Sequence, residues 1–190
     1  MRNPLNSWAK ADSEYHWGNG YVIGPNDMNL AKRLISAGPE HCKFLRMIHV
    51  QADITAPRWW WSEFDTYHFN TKNSTSTMHK LLNNPEPISI NQFETDGMDD
   101  EVFVTVLNRL ESLRQAYRAT TDSEKQRRLL RRAKNLLPEG FLQMRTVDTN
   151  YAELRTIYHQ RKNHRMKEAW VDCFCAWVES LPYADEFLIN

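Results

Sequence analysis

Residues 58–79, RWWWSEFDTYHFNTKNSTSTMH, decide how the rest of the chain is read. The segment opens as an aromatic helix and ends in a polar run with no core-building pattern. Pro57 precedes it, where a fixed φ and a missing N–H suit the first turn of a helix. Thr55 is the expected N-cap, and a helix over 58–67 places Trp59, Trp60 and Phe64 on one face as core. From Thr66 to Thr77 come six Ser or Thr hydroxyls and two asparagines, with His68, Lys72 and His79 beside them. Each hydroxyl or amide needs a hydrogen-bond partner when buried, so this run is either a solvated loop or the lining of something polar.

The totals set the frame. A chain of 190 residues, 41% hydrophobic and 25% charged, suits one soluble domain over 1–190, with 1–26 as an irregular N-terminal arm. Its net charge is zero, so no global field points to nucleic acid or to a membrane, and neither is an expected partner. The charge is uneven, however: residues 121–167 hold 12 Lys or Arg against 5 acids, a region suited to phosphates. The three cysteines, Cys42, Cys173 and Cys175, form neither a disulfide framework nor a CxxC metal site. No stretch has the length and apolarity of a membrane span and the start is not a signal peptide, so a reduced, cytoplasmic protein is expected.

In chain order, a short strand is expected near Tyr21–Ile23. A helix capped by Asp27 runs through Ala37, with Gly38 just past its end. Alternation predicts a strand from Lys43 to Ala52, covered on both sides. Asn83–Pro87 is a loop, and the acidic patch Glu94–Glu101 a solvated connection. Phe103, Val106, Leu107, Leu110, Leu113 and Tyr117 mark a clear helix. Thr121-Asp-Ser-Glu124 has the form of a capping box and opens another helix, with Leu129, Leu130, Ala133 and Leu136 inward. Arg127, Arg128, Arg131 and Arg132 form its outer, solvated side, and Pro138-Glu-Gly140 ends it. A helix follows from about Thr149 to Arg161. The last, from Met166 to Leu181, has the strongest periodicity and is a core helix. His164 and Glu168 lie one turn apart without a third ligand, so no metal site is expected.

Taken in order, these pieces resemble the flavin-dependent thymidylate synthase family, whose signature reads R-A-x-x-x-Q-x-x-R-H-R-x-x-S-x-N-E-x-S-x-R-Y. Laid on this chain without a gap, its first Arg falls on Arg58, its Gln on Glu63 and its R-H-R triplet on Thr66-Tyr67-His68. The following Ser falls on Thr71, and N-E-x-S-x-R-Y on Asn73-Ser74-Thr75-Ser76-Thr77-Met78-His79. Arg58, Asn73 and Ser76 match. Further on, the family's A-R-x-x-L-P resembles Ala133-Lys134-Asn-Leu-Leu137-Pro138. Its later Asn and Arg fall at the family spacing on Asn150 and Arg161, and H-A-Q-x-E on His164–Glu168 after a one-residue deletion. Upstream, Glu40-His41 before Phe44 is similar to the family's F-E-H-x-x-F. The resemblance covers roughly residues 38–181.

It implies an α+β fold, a small central sheet with packed helices and a helical C-terminal half. It also implies FAD as cofactor, with NADPH and methylenetetrahydrofolate as co-substrates, and transfer of a one-carbon unit to C5 of dUMP or a related pyrimidine nucleotide. The flavin and folate carry that chemistry, while the protein supplies placement and charge, so no cysteine nucleophile is needed. Carried over by position, Glu63, Asn73, Ser74, Ser76, Lys134 and Arg161 are the substrate-binding candidates. His41, Tyr67, His68, Asn150 and Arg155 are the cofactor candidates. The triplet arginines are gone, Met78 and Ala152 stand where arginines would, and His68, His79, Lys72 and Arg155 are left to replace the lost charge. The family assembles as a homotetramer, and the same is implied here. The alternatives are a non-catalytic descendant that binds nucleotides or serves in assembly, and nucleic-acid binding through the basic helix 124–134.

Overall fold

The polar run after Phe64 forms an edge strand. In the computed structural model, which describes residues 9–96 and 101–190, Thr71–Ser74 make β4, an outer strand of a three-stranded sheet in the order β3-β5-β4. β3 spans His49–Pro57 and β5 spans Leu142–Asn150. β3 and β5 are antiparallel: Arg58 N–H donates to Phe141 O and Tyr151 N–H to Ile48 O, so partner numbers fall on one strand as they rise on the other. Thr, Lys, Asn and Ser suit an outer strand, whose free backbone edge is blunted by polar and charged side chains.

Several boundaries differ from the sequence expectation, each for a local reason. Lys43–Met47 is a 3₁₀ turn, not the start of a strand. Phe44 and Leu45 are adjacent and both buried, which a pleated strand with alternating faces cannot arrange. β3 then runs through Thr55, so that residue caps nothing. The helix α2, Arg58–Phe64, has Pro57 at its N-cap and no side-chain cap. Its first N–H groups are satisfied instead by carbonyls of Phe141 and Glu139. Trp60, Trp61 and Phe64 are its buried residues, with Trp61 taking the place expected of Trp59. The C-terminal half is helical apart from β5, which no clean apolar alternation announces. Leu142, Met144 and Thr146 alternate with Gln143, Arg145 and Val147, so both of its faces are mixed.

The described residues fall into two compact units. The first takes the residues up to Gln51, Phe69–Thr71 and Asp148–Asn190. Within it, β1 (Glu14–His16) and β2 (Gly20–Val22) pair as a hairpin. The helix α1, Pro25–Ser36, starts two residues before Asp27. Its cap comes from outside: Asp12 accepts from the N–H groups of Asn26 and Asp27, while Asp27 accepts from Ser13 and from Asp12 N–H. Gly38, with φ of 115°, ends it in a conformation that favours glycine. The helix α6, Tyr151–Arg161, has Asn150 as N-cap. The expected final helix widens into a π-helix over Glu168–Cys175 before α7, Ala176–Glu179, and a further π turn covers Asp185–Ile189. The wide turn puts the neighbours Phe174 and Cys175 both inside and leaves Cys173 exposed.

The second unit takes Ala52–His68 and Lys72–Val147. The short helix α3, Thr77–Lys80, follows β4, and the long helices α4, Glu101–Arg118, and α5, Ser123–Leu136, contribute Leu110, Leu113, Leu129 and Ala133 to its core. Leu82, Ile88, Leu110, Leu113, Leu129 and Ala133 belong to one hydrophobic cluster. The cap of α5 is Asp122 rather than Thr121: its carboxylate accepts from the N–H groups of Glu124 and Lys125. Part of the acidic connection Glu94–Glu101 lies outside the described residues. Among the described residues, no helix is long and apolar enough to cross a membrane.

Candidate functional site

In the second unit, the candidates gather around β4, α2 and α5. Ser76 is half-buried at the N-cap of α3, and beside it Thr77 Oγ1 accepts a hydrogen bond from Lys134 Nζ at 3.2 Å. The Ala133–Pro138 motif at the end of α5 and the end of the polar run thus meet through residues 57 apart. Asn73 and Ser74 are exposed on β4, Glu63 is half-buried on α2, and His68 is exposed. Tyr67 is buried, its ring edge-on to Phe64 with 6.1 Å between centroids.

The structure adds a residue that motif reading misses, Asp65. Its carboxylate accepts from Arg145 at 3.0 and 3.1 Å and pairs with Lys72 at 3.0 Å. Both cations also cover aromatic faces: Arg145 lies 4.3 Å from the Trp61 ring centroid and Lys72 lies 5.3 Å from that of Phe64. Burial works to raise the Asp65 pKa, but the hydrogen bonds from Lys72 and Arg145 outweigh it and hold the carboxyl below its usual range. Arg58 is likewise engaged, with Leu137 O at 3.1 Å and Glu139 at 3.2 Å. Lys72, one expected replacement for the lost arginines, is therefore already neutralised. Lys134 has only the Thr77 hydroxyl and no carboxylate among the described residues. Only recognition of β5 in the sequence would expose Asp65 as a hub, because that strand delivers Arg145.

In the first unit, Asn150 and Glu153 act on one backbone segment. Asn150 Oδ1 accepts from Glu153 N–H at 3.1 Å and its Nδ2 donates to Phe69 O at 3.4 Å, while Glu153 Oε1 accepts from Phe69 N–H at 3.1 Å. Glu153 is buried, and both backbone polar groups of Phe69 are held. Thr149, one residue before Asn150, buries a hydroxyl with no hydrogen-bond partner among the described residues.

Arg155 donates to Phe187 O at 3.3 Å and has no carboxylate partner among the described residues. Its charge is felt nearby. Burial raises the Cys42 thiol pKa and Arg155 tempers the rise. Burial, then Arg155 and Lys162, lower the pKa of His159. Arg161 stacks on Trp170 with its guanidinium carbon 4.4 Å from the ring centroid. His41 is exposed, 3.7 Å from Glu40. His164 and Glu168 join no group of three metal-type ligands among the described residues.

No family model and no curated protein sequence matches the chain. Solved structures do. A crystal structure of flavin-dependent thymidylate synthase from Helicobacter pylori, complexed with FAD and dUMP, aligns at a TM-score of 0.64 and 20% identity. That match covers 86% of this chain and 83% of the other. A second structure of the enzyme from the same organism, also with FAD and dUMP, aligns at 0.64 and 19%, covering 88% of this chain and 83% of that one. The fold is therefore that of these α+β enzymes.

Proposed function

We propose that the chain is a flavin-dependent thymidylate synthase-like enzyme that uses FAD to transfer a one-carbon unit from methylenetetrahydrofolate to C5 of dUMP or a related pyrimidine nucleotide, with NADPH as electron source. The observation that carries this reading is the contact between Lys134 and Thr77, next to Ser76. It brings together two of the residues that the family resemblance assigns to the nucleotide.

The donor set fits an anionic, polar cofactor. Among the described residues, Lys134 on the nucleotide side and Arg155 on the cofactor side have neutral partners only, so neither has to break an ion pair to meet a phosphate. The buried Thr149 hydroxyl beside Asn150, without a hydrogen-bond partner among the described residues, suits a polar ligand group. Bound FAD would supply the redox chemistry of the transfer. The protein's share is binding and orientation. Lys134 neutralises the nucleotide phosphate, and Ser76, Ser74 and Asn73 offer hydrogen bonds to its polar edge. Arg161, kept flat by Trp170, presents donors to the pyrimidine. His41, Tyr67, His68, Asn150 and Arg155 serve the cofactor, Asn150 by fixing the Phe69 backbone. Glu63 replaces a neutral amide with an anion near the nucleotide, which favours a ligand of lower charge than dUMP. The reading includes a cytoplasmic homotetramer.

A second reading, a non-catalytic nucleotide-binding or assembly module, is favoured by Asp65. It neutralises two cations that would otherwise serve an anion. One experiment separates the two. The absorbance spectrum of the purified protein should show flavin near ~450 nm, as expected of a retained FAD, with mass analysis identifying the released ligand. A colourless protein that takes up no FAD in titration sinks the first reading. Within that reading, Lys134→Ala should weaken dUMP binding by roughly ten- to a hundredfold, the worth of one charge-assisted contact. Unchanged affinity by calorimetric titration removes Lys134 from the site.

A further inference from the structure

We propose that the outer face of α5 binds the phosphate backbone of a nucleic-acid duplex without reading its sequence. This surface lies outside the residues assigned to the nucleotide and cofactor. Lys125, Arg127, Arg128, Arg131 and Arg132 are all exposed on it, and Glu124 is the only acid on the helix. Glu124 takes both Arg127 and Arg128, at 2.9 and 3.0 Å. Arg131 and Arg132 have no carboxylate partner among the described residues.

Arg127 and Arg131 stand one turn apart, as do Arg128 and Arg132, so like charges recur every ~6 Å along two rows. On a merely solvated helix, acids four residues away would relieve this repulsion. Here the chain as a whole has 24 acids to 24 bases, yet this face keeps its excess. A polyanion is the partner that removes the repulsion.

The residue types narrow which polyanion. Four of the five cations are arginine, whose planar fork matches pairs of phosphate oxygens. The apolar side of α5, with Leu129 and Ala133, is spent in the core, and no exposed residue of α5 is apolar. The helix therefore has nothing to insert into lipid. Nor has it an aromatic ring on which an unpaired base could stack. What remains is a row of charges for a paired backbone, the mode that positions without specifying sequence.

Fluorescence anisotropy with labelled DNA and RNA duplexes of about 20 base pairs tests this, since about four phosphate contacts should cost roughly a hundredfold in affinity between about 50 and 200 mM salt. The tighter of the two duplexes names the source. Changing Arg131 and Arg132 to Ser should lower the slope of log affinity against log salt by about two, with an unchanged circular dichroism spectrum. Changing Arg127 and Arg128 to Ser should have a smaller effect, because Glu124 already offsets them. Absence of binding at low salt, equal binding after all four changes, or equal affinity for polyglutamate or anionic vesicles would overturn the proposal.

Discussion

Helices α4 and α5 share one hydrophobic cluster, and Arg114 on the first is used in the opposite way from Arg131 and Arg132 on the second. On α4, Arg114 is 7% exposed and every arm of its guanidinium is taken. Nε and Nη2 donate to Glu111 at 2.7 and 2.8 Å, and Nη1 donates to the carbonyls of Asn84 and Pro85 at 2.8 and 3.2 Å. Glu111 also receives Ile88 N–H at 3.0 Å, so the pair fastens the 83–88 loop onto the helix. On α5, Arg131 and Arg132 are exposed and have no carboxylate partner among the described residues. A buried charge survives only with complete partnering, and here that partnering shapes a loop. An exposed, uncompensated charge shapes nothing inside the fold, and its consequence has to be sought outside.

The largest effect expected is on the α4 side. Arg114→Ala strands the Glu111 carboxylate and two loop carbonyls in a poorly hydrated place. Breaking one partner of such a pair typically costs about 3–5 kcal/mol. Urea denaturation should show the loss as an earlier midpoint. A loss under about 1 kcal/mol would put Arg114 among ordinary surface ion pairs and dissolve the contrast with α5.

The same pair predicts a pH dependence. The Arg114 hydrogen bonds dominate over burial and, with Ile88 N–H, pull the Glu111 pKa from 4.5 to about 2. A depressed carboxyl pKa means that the unfolded chain takes up the proton first as pH falls. The stabilisation is therefore complete above about 4.5 and disappears as pH falls toward about 2. Its size is about 2–3 kcal/mol, discounted from the full shift because part of the Glu111 side chain meets water. Stability measured across that window should fall more steeply in the parent than in Arg114→Met, where Glu111 has lost its main partner. Parallel slopes would show that Glu111 does not carry the acid lability.

These helices were also the most legible part of the sequence. Leu110, Leu113, Leu129 and Ala133 recur at the helical period because one face of each helix is buried, and that period survives in the sequence. β4 and β5 were illegible for the converse reason. Thr71–Ser74 is an outer strand with polar residues throughout, and β5 mixes polar and apolar residues on both faces, so neither leaves an alternation to find. The 3₁₀ turn at Lys43–Met47 and the π-helix at Glu168–Cys175 were missed because each buries adjacent residues, which no single period describes. The candidate site is a matter of spacing in the sequence, which singles out Ser76 and Lys134 as candidates; the structure puts Lys134 on the Thr77 hydroxyl, next to Ser76. Spacing could not show Asp65, whose role exists only once β5 places Arg145 beside α2.

The smallest effect expected has the opposite sign from the first. Arg131 repels Arg127 and Arg128 on the same helix and helps no packing, so Arg131→Ser should leave stability unchanged or raise it. The expected gain is a few tenths of a kcal/mol, reduced in part because Ser is a poorer helix former than Arg. Thermal denaturation at low and high salt separates the two terms. The repulsive part shrinks as ions screen it, whereas helix propensity does not, so the gain of the variant over the parent should narrow with added salt. If Arg131→Ser instead destabilised the fold by more than about 1 kcal/mol at both salt concentrations, Arg131 would be holding the structure together as Arg114 does. The charge on α5 would then no longer need a partner outside the chain to account for it.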